Sequence, residues 1–210
     1  MKHSFVVVEG NIGSGKTSLS TALSQEYNAR LILEEFADNP FLKRFYEDPD
    51  RYGFQVELAF LAERYQQFKT TAAAPDLFKQ VTIADYHFYK SLIFARANLD
   101  AEEYRLYSNL FNIIYSSLPK PDLVVYLYLS LENLQRNIRK RGRPYEQEIT
   151  NEYLQTIQES YFDFFKRQTN MSILVVETNN IDFVNSREDY EKIRDLIGQE
   201  YPVGINRILL

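Results

Sequence analysis

Residues 9–17 read EGNIGSGKT and follow the apolar run Phe5-Val6-Val7-Val8. Glycines at 10, 13 and 15 leave the backbone N–H groups unshielded, so successive donors can converge on one anion, and phosphate suits that concavity. The spacing Gly10-x-x-x-x-Gly15-Lys16-Thr17 is that of a phosphate-binding loop, in which Lys16 reaches the outer phosphates and the Thr17 hydroxyl reaches Mg²⁺. A helical pattern of Leu19, Leu23 and Tyr27 follows, so the phosphates would also lie at a helix N-terminus, where the dipole favours negative charge.

Other residues could join this chemistry. The segment RNIRKRGRPYEQE (136–148) places five Arg or Lys in eight residues ahead of Pro144. Such a run is either a solvated helix end or, beside a phosphate loop, a lid that closes over phosphate. Glu9, Glu34, Glu35, Asp85 and Glu177 each end an apolar run. Cysteine is absent, which excludes disulfides and thiolate catalysis, and the two histidines, His3 and His87, are too far apart in sequence for a histidine-rich metal site. Any metal is therefore expected to be oxygen-bound, which points to Mg²⁺. His87 reads as structural.

These residues need a scaffold. Apolar runs at Ser4–Val8, Leu31–Phe36, Val81–Asp85, Leu123–Leu129 and Ile173–Val176 predict five strands with helical stretches between them, the longest over about 50–70 after breaks at Pro40 and Pro49. Alternating strands and helices predict an α/β fold: a five-stranded parallel sheet covered by helices on both faces, with ligands at the carboxyl ends of the strands. At 210 residues, with 45% hydrophobic residues and no internal repeat or linker, the chain is expected to be a single domain over 1–210 with an arginine-rich lid at about 137–149. A net charge of −5 argues against nucleic acid as a partner. The absence of a twenty-residue apolar stretch or signal peptide argues against a membrane and for a cytoplasmic enzyme.

Five segments in order give the chain a resemblance to the deoxynucleoside kinases, the family of deoxycytidine, deoxyguanosine and deoxyadenosine kinases. EGNIGSGKT is similar to that family's loop, and LEEF resembles its Glu-Pro-Val segment, whose first Glu is the base, here Glu34. FYEDPDRYGFQ resembles the stretch that places Tyr46 on the sugar and Gln55 on the base. RGRPYEQE resembles the lid, with Arg141 and Arg143 on phosphates and Glu146 on the 3′-hydroxyl, while NNIDF resembles the loop setting Asp182 and Phe183 against the ATP adenine. The resemblance implies a P-loop kinase that uses ATP and Mg²⁺ to phosphorylate the 5′-hydroxyl of a deoxynucleoside in nucleotide salvage, working as a homodimer. ATP would be held by Gly10, Asn11, Ile12, Gly13, Ser14, Gly15, Lys16, Thr17 and Ser18, and the metal by Thr17 and Asp85.

The residues permit this chemistry. Phosphoryl transfer needs an in-line nucleophile, cations and a proton acceptor. Glu34 ends the second strand, next to the first in the expected topology, so its carboxylate can meet the 5′-hydroxyl while Glu35 faces away; the alternative is a solvated strand end. Asp85 closes a strand as a metal ligand would, or caps the next helix. Gln55 carries a donor and an acceptor for a base edge, or is an ordinary surface residue. Ala59 and Ala62 share its face, and the absence of the arginine that relatives preferring cytosine or guanine place seven positions after this glutamine favours deoxyadenosine. Phe54 and Phe94 could stack on the base, although among 16 Tyr and 15 Phe most must be core. Tyr46 and Glu146 together would anchor a 3′-hydroxyl and exclude a 2′-hydroxyl.

Two positions depart from the family pattern. Asp85-Tyr86-His87 replaces the Glu-Arg-Ser or Asp-Arg that follows the third strand, and Asn137 stands where the lid often carries a further arginine. The lost charge is expected to come from the lid, with Lys90 contributing less. Two other functions share parts of the pattern. A thymidylate-type monophosphate kinase would meet repulsion between Glu34 and the acceptor phosphate. A guanine-nucleotide switch would need Asn-Lys-x-Asp, and NNID lacks the lysine.

Overall fold

The segments FVVVEG, LVVYLY and SILVVE are too continuously apolar to leave a face in water, and they form the sheet centre as β1 (Phe5–Gly10), β4 (Leu123–Tyr128) and β5 (Ser172–Glu177). In this computed structural model, which describes residues 1–34, 39–73, 79–115 and 118–210, β2 (Arg30–Ile32), β3 (Thr82–Ala84) and β6 (Gly204–Leu209) complete a parallel sheet of order β2-β3-β1-β4-β5-β6.

Two expectations are corrected here. The sheet has six strands, not five, because GINRIL alternates half-buried and exposed residues along the edge of the sheet and offers no apolar run to detect. The second strand pairs with β3, not β1, so β3 separates Glu34 from the first strand. β2 also stops at Ile32, which leaves Glu34 two residues past the strand, and residues 35–36 of the expected strand lie outside the described residues.

Alternation along each strand assigns its two faces to different helices. On one face, Leu19 and Leu23 of α1 (Lys16–Glu26) and Tyr190, Ile193 and Ile197 of α8 (Arg187–Ile197) cover Val6, Val8, Val125, Leu127, Leu174 and Val176. On the other, α3 (Pro49–Ala73), α4 (Lys90–Asn98), α5 (Ala101–Tyr115) and α7 (Asn151–Lys166) cover Val7, Ala84, Val124, Tyr126, Ile173 and Val175. Pro49 opens α3 at its first position, where a missing N–H costs nothing, after the short α2 (Leu42–Glu47).

β1 lies between β3 and β4, so the chain runs outward from it in both directions, and the loop after β1 occupies the resulting crevice. α6 (Leu131–Arg141) lies beside that loop. Ser130 caps its start and Gly142, at φ 70°, ends it; the 3₁₀ turn Pro144–Glu146 follows.

Candidate active site

The loop after β1 is shaped by what its glycines avoid. Gly15 has φ 90°, and a Cβ there would stand 2.7 Å from the Phe183 ring; a Cβ on Gly13 would stand 2.9 Å from the Leu134 carbonyl of α6. Lys16 folds back to donate to the Gly10 and Asn11 carbonyls at 2.9 and 2.8 Å. Burial, with the like charge of Lys90, lowers its pKa to about 8 against the opposing pull of Glu9, Glu34 and Asp85. A cavity over this loop is lined by Gly13–Ser18, Arg136, Asn137, Lys140, Arg141 and Arg143 of the basic segment, and by Asp182 and Phe183. Asn137 donates to the Gly13 carbonyl at 2.9 Å and so ties α6 to the loop. The Asp182 carboxylate accepts the Val184 and Asn185 N–H groups, shaping its own turn.

Thr17 and Asp85 meet. The Thr17 hydroxyl donates to Asp85 Oδ2 at 2.6 Å, and the Glu34 N–H donates to Asp85 Oδ1 at 2.7 Å. Asp85 therefore spans the site and does not cap α4, whose N-cap is Tyr89. A hydroxyl beside a carboxylate, both oxygen donors next to a phosphate loop, is the donor set that Mg²⁺ takes, with water and phosphate completing its shell. Among the described residues no group of three or more His, Asp or Glu could hold a metal by itself.

Glu34 sits between two cations. Arg64 of α3 donates through Nε and Nη2 to Glu34 Oε1 at 3.0 and 2.7 Å, and Lys90 donates to Oε2. Burial opposes ionisation of Glu34, but the charges and hydrogen bonds of Lys90 and Arg64 outweigh it and bring the pKa down to about 2. The pairing's contribution to stability is complete above the ordinary value of 4.5 and is lost as pH falls toward 2. Tyr86, buried in the core, donates its hydroxyl to Gln67, whose amide donates to the Leu33 carbonyl at 2.6 Å and so supports the backbone before Glu34. Arg64 and Lys90 thus place positive charge next to Glu34, whereas Arg141 and Arg143 reach Glu146. Lys90→Met is expected to raise the acid limb of kcat/KM by about one pH unit; an unmoved limb would remove Lys90 from this role.

A second cavity opens from Lys16, Thr17, Glu34 and Asp85 past Tyr46, Glu57, Phe60, Arg64, Lys90, Phe94 and Asn98 to Arg141, Arg143 and Glu146. Glu146 is buried and accepts from Arg141 Nε at 2.9 Å and Arg143 Nη1 at 3.2 Å. Tyr46 stacks on Tyr145 with ring centroids 6.2 Å apart, and burial followed by the Glu146 charge raises its phenol pKa. Most of the expected residues are thereby brought together. Two are not. Gln55 is exposed and outside the cavity, and Phe54 packs into the core with Val7 and Ala84. α3 is turned so that Val56, Glu57, Phe60 and Arg64 face the cavity, which puts Gln55 on the opposite side. The ground for favouring adenine, read from the Gln55 face, falls with it. Phe94 does line the cavity.

Glu9 and His87 are internal supports. Glu9 accepts the His87 N–H and the Tyr161 hydroxyl, each at 2.7 Å, and burial raises its pKa against the pull of Lys90 and Lys16. Burial lowers the His87 pKa to about 3, so the ring stays neutral among Phe68, Tyr89 and Tyr115.

A phosphate loop at the switch point of a parallel sheet, opening through one buried carboxylate into an acceptor cavity, defines a P-loop phosphotransferase. The chain matches the deoxynucleoside kinase family over residues 6–201 and belongs to that family. It is 37% identical to the deoxyguanosine kinase of Bacillus subtilis (strain 168) over 90% of this chain and 93% of that one. It is 31% identical to the deoxyadenosine kinase of Dictyostelium discoideum over 93% of this chain and 78% of that one. It is 30% identical to the deoxyadenosine/deoxycytidine kinase of Bacillus subtilis (strain 168) over 93% and 92%. The fold matches that of M. mycoides deoxyadenosine kinase with bound dATP at a TM-score of 0.80, with 24% identity, over 94% of this chain and all of the other. The enzyme therefore phosphorylates a deoxynucleoside at the 5′-hydroxyl with ATP as donor, and the monophosphate-kinase and switch alternatives fall away.

Proposed function

We propose that the nucleoside occupies the cavity between Glu34 and Glu146, with ATP over the loop Gly10–Ser18. The observation that carries this is the Glu34 carboxylate, bound by Lys90 and Arg64 and joined through its own N–H to Asp85 beside Thr17 and the phosphate loop. Glu34 accepts the 5′-hydroxyl proton. Its low basicity is no obstacle, because a loose transition state leaves the hydroxyl proton in place until late and asks mainly for orientation. Lys16, together with Arg141 and Arg143 of the segment at about 137–149 acting as a lid, neutralises charge on the transferring phosphoryl group. Thr17 and Asp85 would hold Mg²⁺, which supplies further charge neutralisation and orients the donor phosphates. Asp182 and Phe183 border the adenine. A cytoplasmic homodimer serving nucleotide salvage belongs to the same reading; among the described residues no helix is long and apolar enough to cross a membrane.

Turnover of the four deoxynucleosides and their monophosphates with Mg-ATP tests the assignment: phosphorylation of monophosphates alone would overturn it. For the sugar, Tyr46 and Glu146 hold the 3′-hydroxyl and leave no room for a 2′-hydroxyl. Deoxynucleosides should be used better than ribonucleosides, and Tyr46→Phe and Glu146→Gln should narrow the preference, each by roughly 10-fold. Equal use of the ribose counterpart by the parent enzyme would rule this model out.

A further inference from the structure

Glu57 lies in the middle of α3 and is 2% exposed, yet it lines the acceptor cavity. Its Oε1 accepts from Asn98 Nδ2 at 2.6 Å, while Oε2 is buried with no hydrogen-bond partner among the described residues. A buried carboxylate with a bare oxygen is costly unless something satisfies it. Arg64, one cation within the same cavity, is already committed to Glu34 and Ser91. Glu57 lines the space into which a ligand enters, together with Asn98 and the rings of Phe60 and Phe94.

Resting on the nucleoside assignment above, we infer that the Glu57 carboxylate reads the base and selects guanine. An ionised carboxylate only accepts. Guanine alone among the four bases offers two adjacent donors on one edge, the ring N1–H and the exocyclic N2 amine, and so matches two carboxylate oxygens. Adenine and cytosine offer a donor beside an acceptor, and thymine a single N–H between two carbonyls; each would set an acceptor against a carboxylate oxygen. Asn98 holds the carboxylate through one lone pair of Oε1, leaving the other lone pair and all of Oε2 for the base.

Glu57 also confers a dependence on pH. Burial pushes its pKa up to about 7, against Arg64 on its own helix, the Asn98 hydrogen bond and Lys90 on α4, with Glu34 adding to the rise. The phenols of Tyr46, Tyr107 and Tyr153 also feel its charge, and each is raised above its ordinary value and neutral. Below about 7 the protonated carboxyl presents one donor and one acceptor, as an amide would, and guanine loses its advantage.

The test compares kcat/KM for deoxyguanosine, deoxyinosine and deoxyadenosine in the parent enzyme and in Glu57→Gln, with Mg-ATP, at pH 6 and pH 8. The parent should prefer deoxyguanosine, with deoxyinosine, which lacks the exocyclic amine, in between, and the preference over deoxyadenosine should grow at pH 8. Glu57→Gln keeps the acceptor for Asn98 and should shift the guanine-to-adenine ratio by roughly 10–100-fold toward adenine and abolish its pH dependence. Equal losses for all three nucleosides in Glu57→Gln would overturn base reading while leaving the cavity assignment intact. A parent that phosphorylates none of them would overturn the assignment itself, and this inference with it.

Discussion

Replacing Glu34 by Gln is expected to lower kcat by about 10²–10⁴-fold while the nucleoside still binds. The substitution removes proton acceptance and little volume. It also leaves Arg64 and Lys90 without their shared counter-charge, and breaking a buried ion pair costs stability, so the melting temperature should fall as well. The two effects separate by experiment: nucleoside affinity and steady-state kinetics well below the melting transition isolate the chemical role. A variant that binds and turns over almost normally would show that the carboxylate serves only to hold Arg64 and Lys90. The parent's carboxylate is ionised far below neutrality, so the loss should be the same at pH 6 and pH 8.

Lys16→Met is expected to reduce kcat/KM for ATP by at least about 10²–10³-fold without destabilising the fold. Among the described residues the ammonium hydrogen-bonds to the Gly10 and Asn11 carbonyls alone, and its burial depresses its pKa, so the charged form is disfavoured where it sits. An ATP phosphate would reverse that balance by giving the ammonium an anionic partner. Removing the charge thus spares the empty enzyme and penalises the loaded one. Kinetics with varied ATP, set beside thermal denaturation without nucleotide, decide the matter. A fold that collapses would make Lys16 a structural residue, and retained turnover would move the donor site elsewhere.

The phosphate loop was readable in the chain because its requirement is local. Gly13 and Gly15 occupy conformations that side chains resist, and only a loop of that spacing at a strand end brings Lys16 and Thr17 to one anion. Asp85 and Glu34 were readable for a related reason: each follows an apolar run, and strand ends converge on one edge of a parallel sheet. The roles expected of Arg141, Arg143 and Glu146 came from family likeness alone, since a basic run at a helix end has no unique local reading.

What only the tertiary structure decided is which side of a helix faces the site. Val56, Leu58, Phe60 and Leu61 ring α3, so the sequence offers no single apolar face from which to set its rotation, and the choice between Gln55 and Glu57 depended on it. Each residue turns a helix by about 100°, so two positions reverse the face. Packing against Tyr107 and Phe111 of α5 and Ala95 of α4 settled the matter, turning Glu57 and Arg64 inward and Gln55 to solvent. Arg64 was hidden in the chain for the same reason: it lies 30 residues from Glu34, and nothing short of the folded packing brings that cation to that carboxylate.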